Sequence, residues 1–277
     1  MRRHLMKHQN LIIGVLIAVI AVAIGAVAYD IHARSAAVSS KTSQKTAAAE
    51  TSKTETSQKT SAASDQSANQ KTIVLDPGHS AVMPSGSEPV GPGAGENKAK
   101  DMVGTKGVAT GVTEYDFMLS LANKLKPELE KRGYKVVLTR TDSQSAHSCT
   151  QRAQVANDNH ADAFIRLHAN AAESPAPNGA MTINITAHSP YTPSTYSQCR
   201  KLSDCVLNAY CSATGAKREG VVERDDLTGN NWAKVPTTLI EVGYMTNPDE
   251  DKRMQTDAYQ AKMVQGIANG IDQFFKN

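Results

Sequence analysis

The chain has 277 residues, with 30 basic and 27 acidic side chains and a formal net charge of +3. Residues 1–71 hold 9 basic and 4 acidic side chains, which leaves 21 and 23 in residues 72–277 and makes that part near neutral. With no basic patch interleaved with aromatic residues it excludes nucleic acid as a partner, and its roughly two hundred residues suffice for one domain with a substantial core.

Residues 1–10 are a basic segment carrying Arg2, Arg3 and Lys7. Residues 11–29 follow as an apolar run without a charge, close to the ~20 residues a bilayer-spanning helix needs. The basic excess before the run predicts a single-pass membrane anchor with its N-terminus in the cytoplasm and the rest of the chain outside. The alternative is a cleaved signal and a secreted protein, because Ala26-Val27-Ala28 resembles a cleavage site; the run exceeds the apolar core usual for such signals, which favours the anchor. Residues 30–71 are almost all Ser, Thr, Ala, Lys and Gln, too poor in large apolar groups to offset the entropy of ordering, and are expected to be a disordered linker.

Residues 72–277 are expected to fold. The run at 73–75, stopped by Asp76-Pro77-Gly78, reads as a buried strand delivering His79 to a loop. Residues 80–112 are dense in Gly, Pro and small polar residues, too irregular for helix or sheet. Phe117, Leu121, Leu125 and Leu129 recur at helical spacing after Thr113, with a kink or break expected near Lys126 because Pro127 follows. Strands are predicted at 134–139, 163–167, 181–186 and 237–242, and helices at 150–160, 195–213 and 259–275. This alternation predicts a single α/β domain, a mixed and mostly parallel sheet with helices on both faces, whose chemistry gathers at the strand C-termini. Of the cysteines Cys149, Cys199, Cys205 and Cys211, none forms a C-x-x-C pair, so a zinc finger is excluded; some are expected free, with one disulfide allowed.

Three candidate metal ligands stand at element ends: His79 after the first strand, Glu114 at the start of the first helix and His168 after the run 164–167. Two imidazoles and a carboxylate form a known catalytic zinc set with a fourth position open. Glu241 closes the apolar run 237–240; a carboxylate there is costly unless chemistry needs it, which makes it the candidate general base. Asp76 is a candidate support for a ligating imidazole, whose second N–H usually meets a carboxylate or carbonyl, or else a plain turn aspartate. His147, His160 and His188 read as ordinary loop or helix-end residues.

Several ordered motifs carry a resemblance: Ile73-Val74-Leu75-Asp76-Pro77-Gly78-His79, Thr113-Glu114, Leu138-Thr139-Arg140, Arg152-Ala153, Ala161-Asp162-Ala163-Phe164, Leu167-His168-Ala169-Asn170 and Ile240-Glu241-Val242-Gly243-Tyr244-Met245-Thr246-Asn247-Pro248. Over residues 72–277 the chain resembles the zinc-dependent N-acetylmuramoyl-L-alanine amidases, the family of bacterial division and sporulation amidases. The resemblance implies one zinc ion held by His79, Glu114 and His168, Glu241 as catalytic acid/base, and hydrolysis of the amide joining N-acetylmuramic acid to the L-alanine of the peptidoglycan stem peptide. It also implies a mixed sheet flanked by helices.

The chain departs from the family pattern twice. The segment 80–112 is longer than usual, and residues 220–232 lack the arginine-rich strand of many relatives. In the latter stretch Arg224 and Asn230 are candidates to grip the stem peptide, with a solvated polar loop as the plainer reading, and Trp232 reads as a packing residue. The rival functions are a zinc peptidase acting within the stem peptide and a non-catalytic wall-binding module. The partners expected are peptidoglycan and, through the anchor, the membrane; no obligate protein partner is evident.

Overall fold

In the computed structural model the described residues are 70–276, so the basic segment 1–10, the anchor 11–29 and all but the end of the linker 30–71 lie outside them. Among the described residues no helix is long and apolar enough to cross a membrane. In chain order the elements are β1 (Thr72–Pro77), β2 (Ser87–Pro89), β3 (Asn97–Ala99), α1 (Glu114–Lys131), β4 (Lys135–Leu138), α2 (Cys149–Asp158), β5 (Ala163–Asn170) and β6 (Ala180–Asn184). A 3-10 turn (Pro193–Thr195), α3 (Tyr196–Thr214), β7 (Arg218–Glu223), α4 (Thr228–Asn231), β8 (Thr237–Tyr244), α5 (Pro248–Met254) and α6 (Asp257–Lys276) follow.

The five apolar runs expected as strands all form and join one six-stranded sheet in the order β4-β1-β5-β8-β6-β7. Neighbours are parallel except β6 against β8, which is the mixed, mostly parallel sheet the alternation predicts. β1 is buried at every position and β5 at all but its last, as strands covered on both faces must be. On one face Leu121, Leu125 and Leu129 of α1, Leu202 and Val206 of α3 and Ile267 of α6 form the larger core. On the other, Val74 and Phe164 meet Ala153 and Ala156 of α2. Each fully buried large apolar side chain contributes roughly 1.5–3 kcal/mol.

Three expectations are corrected. The segment 80–112 is not wholly irregular: β2 and β3 pair as an antiparallel hairpin in which Glu88 faces Lys98. Strands of three residues are too short to show a period of two. β7 went unpredicted because it is a partly exposed edge strand with a polar sequence. Third, α1 runs unbroken through Pro127, because buried Leu125 and Leu129 on either side of the proline pin one face to the core and outweigh the missing hydrogen bond. The four cysteines are free thiols.

Candidate metal centre

The parallel order β1-β5-β8 sets three strand C-termini side by side. At the end of β1, Gly78 donates its N–H to the Leu167 carbonyl at 2.9 Å. A Cβ there would lie 2.4 Å from Cε1 of His168, so only glycine lets that ring lie against the backbone. His79 follows with φ +58°, a left-handed conformation uncommon outside glycine and concentrated where a side chain must be aimed. His168 lies within β5, which runs past it to Asn170 rather than ending there. Its register partner across the parallel pair is Glu241 of β8, and paired residues project from the same face.

Glu114, the first residue of α1, completes the group. Its N–H donates to the Thr105 carbonyl, and its Oε2 accepts the Thr105 N–H at 2.9 Å. Its Oε1 faces inward, 3.1 Å from the Ala169 amide nitrogen, 3.1 Å from His168 Nδ1 and 3.3 Å from His79 Nε2. His79 Nδ1 lies 2.7 Å from the Met102 carbonyl and 3.3 Å from Asp101 Oδ1, so the ring is oriented from behind. The two imidazoles stand edge to face at 4.8 Å.

One ligand atom each from His79, Glu114 and His168 falls within 4.8 Å of the others, a group that could hold a metal ion. The test of fit is His168: its Nε2 is buried with no hydrogen-bond partner, a costly arrangement for a polar atom unless a ligand takes it. The donor set of two imidazoles and one carboxylate suits a divalent metal and leaves a coordination position open.

The electrostatics follow from burial and proximity. Burial favours the neutral form of His79, but the hydrogen bonds and charges of Asp101 and Glu114 outweigh it and raise its pKa to about 10. His168 shifts the other way, because burial dominates what Glu114 offers. Glu114 is held well below the usual carboxylate range, since its bonds to His168 and His79 overcome burial. Glu241 is pushed up to about 8 by burial and by the Glu114 charge, and its Oε2 is buried without a partner. Burial raises the Cys149 thiol, which lines the same cleft, to about 11; as a thiol it is a poor nucleophile.

One expected role is corrected. Asp76 does not orient a ligating imidazole. Fully buried, it accepts from Thr139 Oγ1 at 2.6 Å, Arg152 Nη1 at 2.9 Å and Arg166 Nε at 3.0 Å, so its oxygens are taken by cations under the sheet end. The carboxylate beside His79 is Asp101, itself bonded by Arg152 Nη2 at 3.0 Å. No local signal marks Asp101, which comes from the irregular segment and meets His79 only through the fold. Asn230, expected at the substrate, is 2% exposed, accepting from Arg166 Nη1 and donating to the Ile183 carbonyl.

Arg224 does line the cleft, a cavity of about 410 Å3 that also contains His79, His168, Glu241, Arg166 and Lys98. It pairs with Asp226, which Lys98 also reaches. The β2-β3 hairpin forms one wall, tied down by Trp232 Nε1 donating to the Pro89 carbonyl and by Glu88 accepting from the Thr150 N–H.

An α/β sheet whose strand ends bring two histidines and a further carboxylate beside the helix-borne Glu114 has a group that could hold a metal ion, the make-up of a metal-dependent hydrolytic domain. Residues 73–273 match the family model described as N-acetylmuramoyl-L-alanine amidase, and the chain belongs to that family. It is 30% identical over 206 residues to the probable cell wall amidase LytH of Staphylococcus aureus, covering 74% of this chain and 58% of that protein. It is 25% identical over 208 residues to the N-acetylmuramoyl-L-alanine amidase LytC of Bacillus subtilis, covering 74% of this chain and 36% of that one. The chain thus spans well under two thirds of either relative. Among solved structures, the catalytic domain of CwlV, an amidase of the same description from Bacillus (Paenibacillus) polymyxa var. colistinus, superposes with a TM-score of 0.60 at 26% identity, covering 75% of this chain and 99% of that one. The N-acetylmuramoyl-L-alanine amidase of Clostridium difficile 630 gives 0.62 at 26% identity, covering 76% and 98%.

Proposed function

We propose that residues 72–277 are a zinc-dependent N-acetylmuramoyl-L-alanine amidase domain that hydrolyses the amide between N-acetylmuramic acid and the L-alanine of the peptidoglycan stem peptide. The observation that carries this reading is the convergence of His79, Glu114 and His168 ligand atoms within 4.8 Å with Glu241 the next residue across the sheet. His79, Glu114 and His168 would hold the zinc, which when bound would supply Lewis acidity toward water and an amide carbonyl at neutral pH. Glu241 is the acid/base: it stands opposite His168 in the sheet register with a buried Oε2 that has no partner, a carboxylate free to take a proton from the attacking water and give it to the departing amine nitrogen. Arg152 and Asp101 hold His79 in place, and Arg140, donating to the Pro77 and Gly78 carbonyls, braces the backbone that presents it. Arg224, whose Nε and Nη2 are bound by Asp226, stands with Lys98 on the cleft wall and adds positive charge that attracts a stem-peptide carboxylate. The domain works outside the cell, held to the membrane by residues 11–29 through the linker.

Digestion of purified peptidoglycan by the zinc-loaded protein tests the reading. New L-alanine amino termini are expected, with Glu241→Gln reducing the rate by about 10²–10⁴-fold while still retaining one zinc. Product ends only inside the stem peptide would identify a zinc peptidase instead, and no products at all a wall-binding module.

A further inference from the structure

Residues 101–112 touch two of the three ligands, His79 and Glu114. Asp101 and the Met102 carbonyl meet His79 Nδ1. Gly104, at φ +79°, leaves no space for a Cβ, which would fall 2.7 Å from both Glu114 Oε2 and the His79 ring. Thr105 exchanges two hydrogen bonds with Glu114, N–H to Oε2 and carbonyl to N–H. The orientation of Glu114 Oε1 toward the histidines therefore depends on where this segment sits.

The far end of the segment is held by the Val108 N–H, which donates to the Met245 carbonyl at 3.0 Å, and by one side chain. Asp251 of α5 is fully buried; its Oδ2 accepts the Ala109 and Thr110 N–H groups at 2.8 Å each, and its Oδ1 accepts the Thr110 hydroxyl at 2.7 Å. Gly107 passes so close that a Cβ would lie 2.3 Å from Asp251 Oδ1. Between this anchorage and Glu114 the chain doubles back through a Lys106–Thr113 bridge and a Gly107 N–H to Val112 carbonyl bond of 2.8 Å. α5 begins only a few residues after β8, the strand of Glu241. A buried carboxylate whose side-chain bonds all go to a loop about 140 residues away in the sequence is a costly arrangement for connection alone.

We propose that Asp251 is a positioning residue for the metal centre: by fastening residues 107–110 it holds Thr105 and Gly104 against Glu114 and His79, and so sets the affinity of the site for its metal. The inference rests on the His79-Glu114-His168 reading. Partners behind metal ligands characteristically change affinity by about 10–100-fold when removed. An effect in that range is expected here although Asp251 touches no ligand.

The experiment is a competitive zinc titration of the full chain in detergent against a chromophoric chelator, with hydrogen exchange followed in parallel. Asp251→Asn should weaken zinc binding by about 10–100-fold. Thr110→Val, at an exposed position and losing one of the three bonds, should weaken it less, in the same direction. In both, the Thr105 and Thr110 amides should lose protection while β1, β5 and β8 keep theirs. Unchanged zinc affinity despite a deprotected segment would overturn the proposal, as would an affinity loss seen only together with deprotection of β1 and β5. A wild-type chain that takes up no zinc, behaving like His168→Ala, would overturn the metal reading and this inference with it.

Discussion

At the scale of single residues, the site is organised by buried charges. Asp76 carries most of this load: its carboxylate is fully buried and shared by two guanidinium groups, Arg152 and Arg166. Burial alone would raise its pKa, yet the arginine charges hold it well below the usual carboxylate range. A carboxylate depressed in the folded state stabilises the fold fully above its unfolded pKa of ~3.9 and loses that contribution as pH falls toward the folded value. Asp76→Asn should therefore destabilise the protein by about 3–5 kcal/mol at neutral pH, measured by denaturant unfolding. The difference from wild type should shrink steadily below about pH 4; a gap constant from neutrality to pH 2 would show that the charge of Asp76 is not what matters. The residues that the sequence singles out where motif and chemistry coincide do meet in space: His79, Glu114 and His168 form one group that could hold a metal ion, and Glu241 is the register partner of His168. The partners of Asp76 were not legible, because its arginines, drawn from β5 and α2, come near it only once those elements are placed.

Among the elements, the apolar runs were legible because a strand covered on both faces must be apolar throughout, as β1 and β5 are. β7 and the β2-β3 hairpin were not, since their residues are polar or partly exposed and their pairing is supplied by neighbours. The helix pair α3 and α6 shows a further device. Gly270 and Gly266 of α6 sit so close to α3 that a Cβ on Gly270 would lie 2.5 Å from the Val206 Cα, and one on Gly266 2.8 Å from the Tyr210 Cα. Both contacts are with backbone, which cannot swing aside. Gly270→Ala should accordingly cost about 1–3 kcal/mol of stability despite the better helix propensity of alanine, seen as a lower melting temperature. A stabilised variant would show that the two helices can separate at no cost. Amidase activity measured well below the melting temperature should stay near wild type, because α3 and α6 contribute nothing to the cleft wall.

For the whole molecule, the proposed layout separates chemistry from location: a near-neutral catalytic domain, and an apolar run with a polar linker that would keep it outside the cell membrane. The segment 11–29 reads as an anchor on length and charge placement. The mature protein should then retain its first ten residues and sediment with membranes, as mass spectrometry of the N-terminal peptide would show. A mature N-terminus just after Ala28 would establish a cleaved signal and a secreted enzyme.

Residue chemistry and order along the chain were enough to determine the α/β class, the strands at the centre of the sheet and the His79, Glu114 and His168 side chains that come together. These depend on local apolar runs and on side-chain types, which a linear text displays. The tertiary structure alone decided which groups stand behind them: Asp101 rather than Asp76 beside His79, Asn230 turned inward under Arg166, and Asp251 fastening the segment that holds Glu114. Each of those contacts joins residues 22 to 142 positions apart, and a buried polar group finds its partner by the packing of the elements that carry it. Nothing in its own neighbourhood along the chain reveals which partner that is.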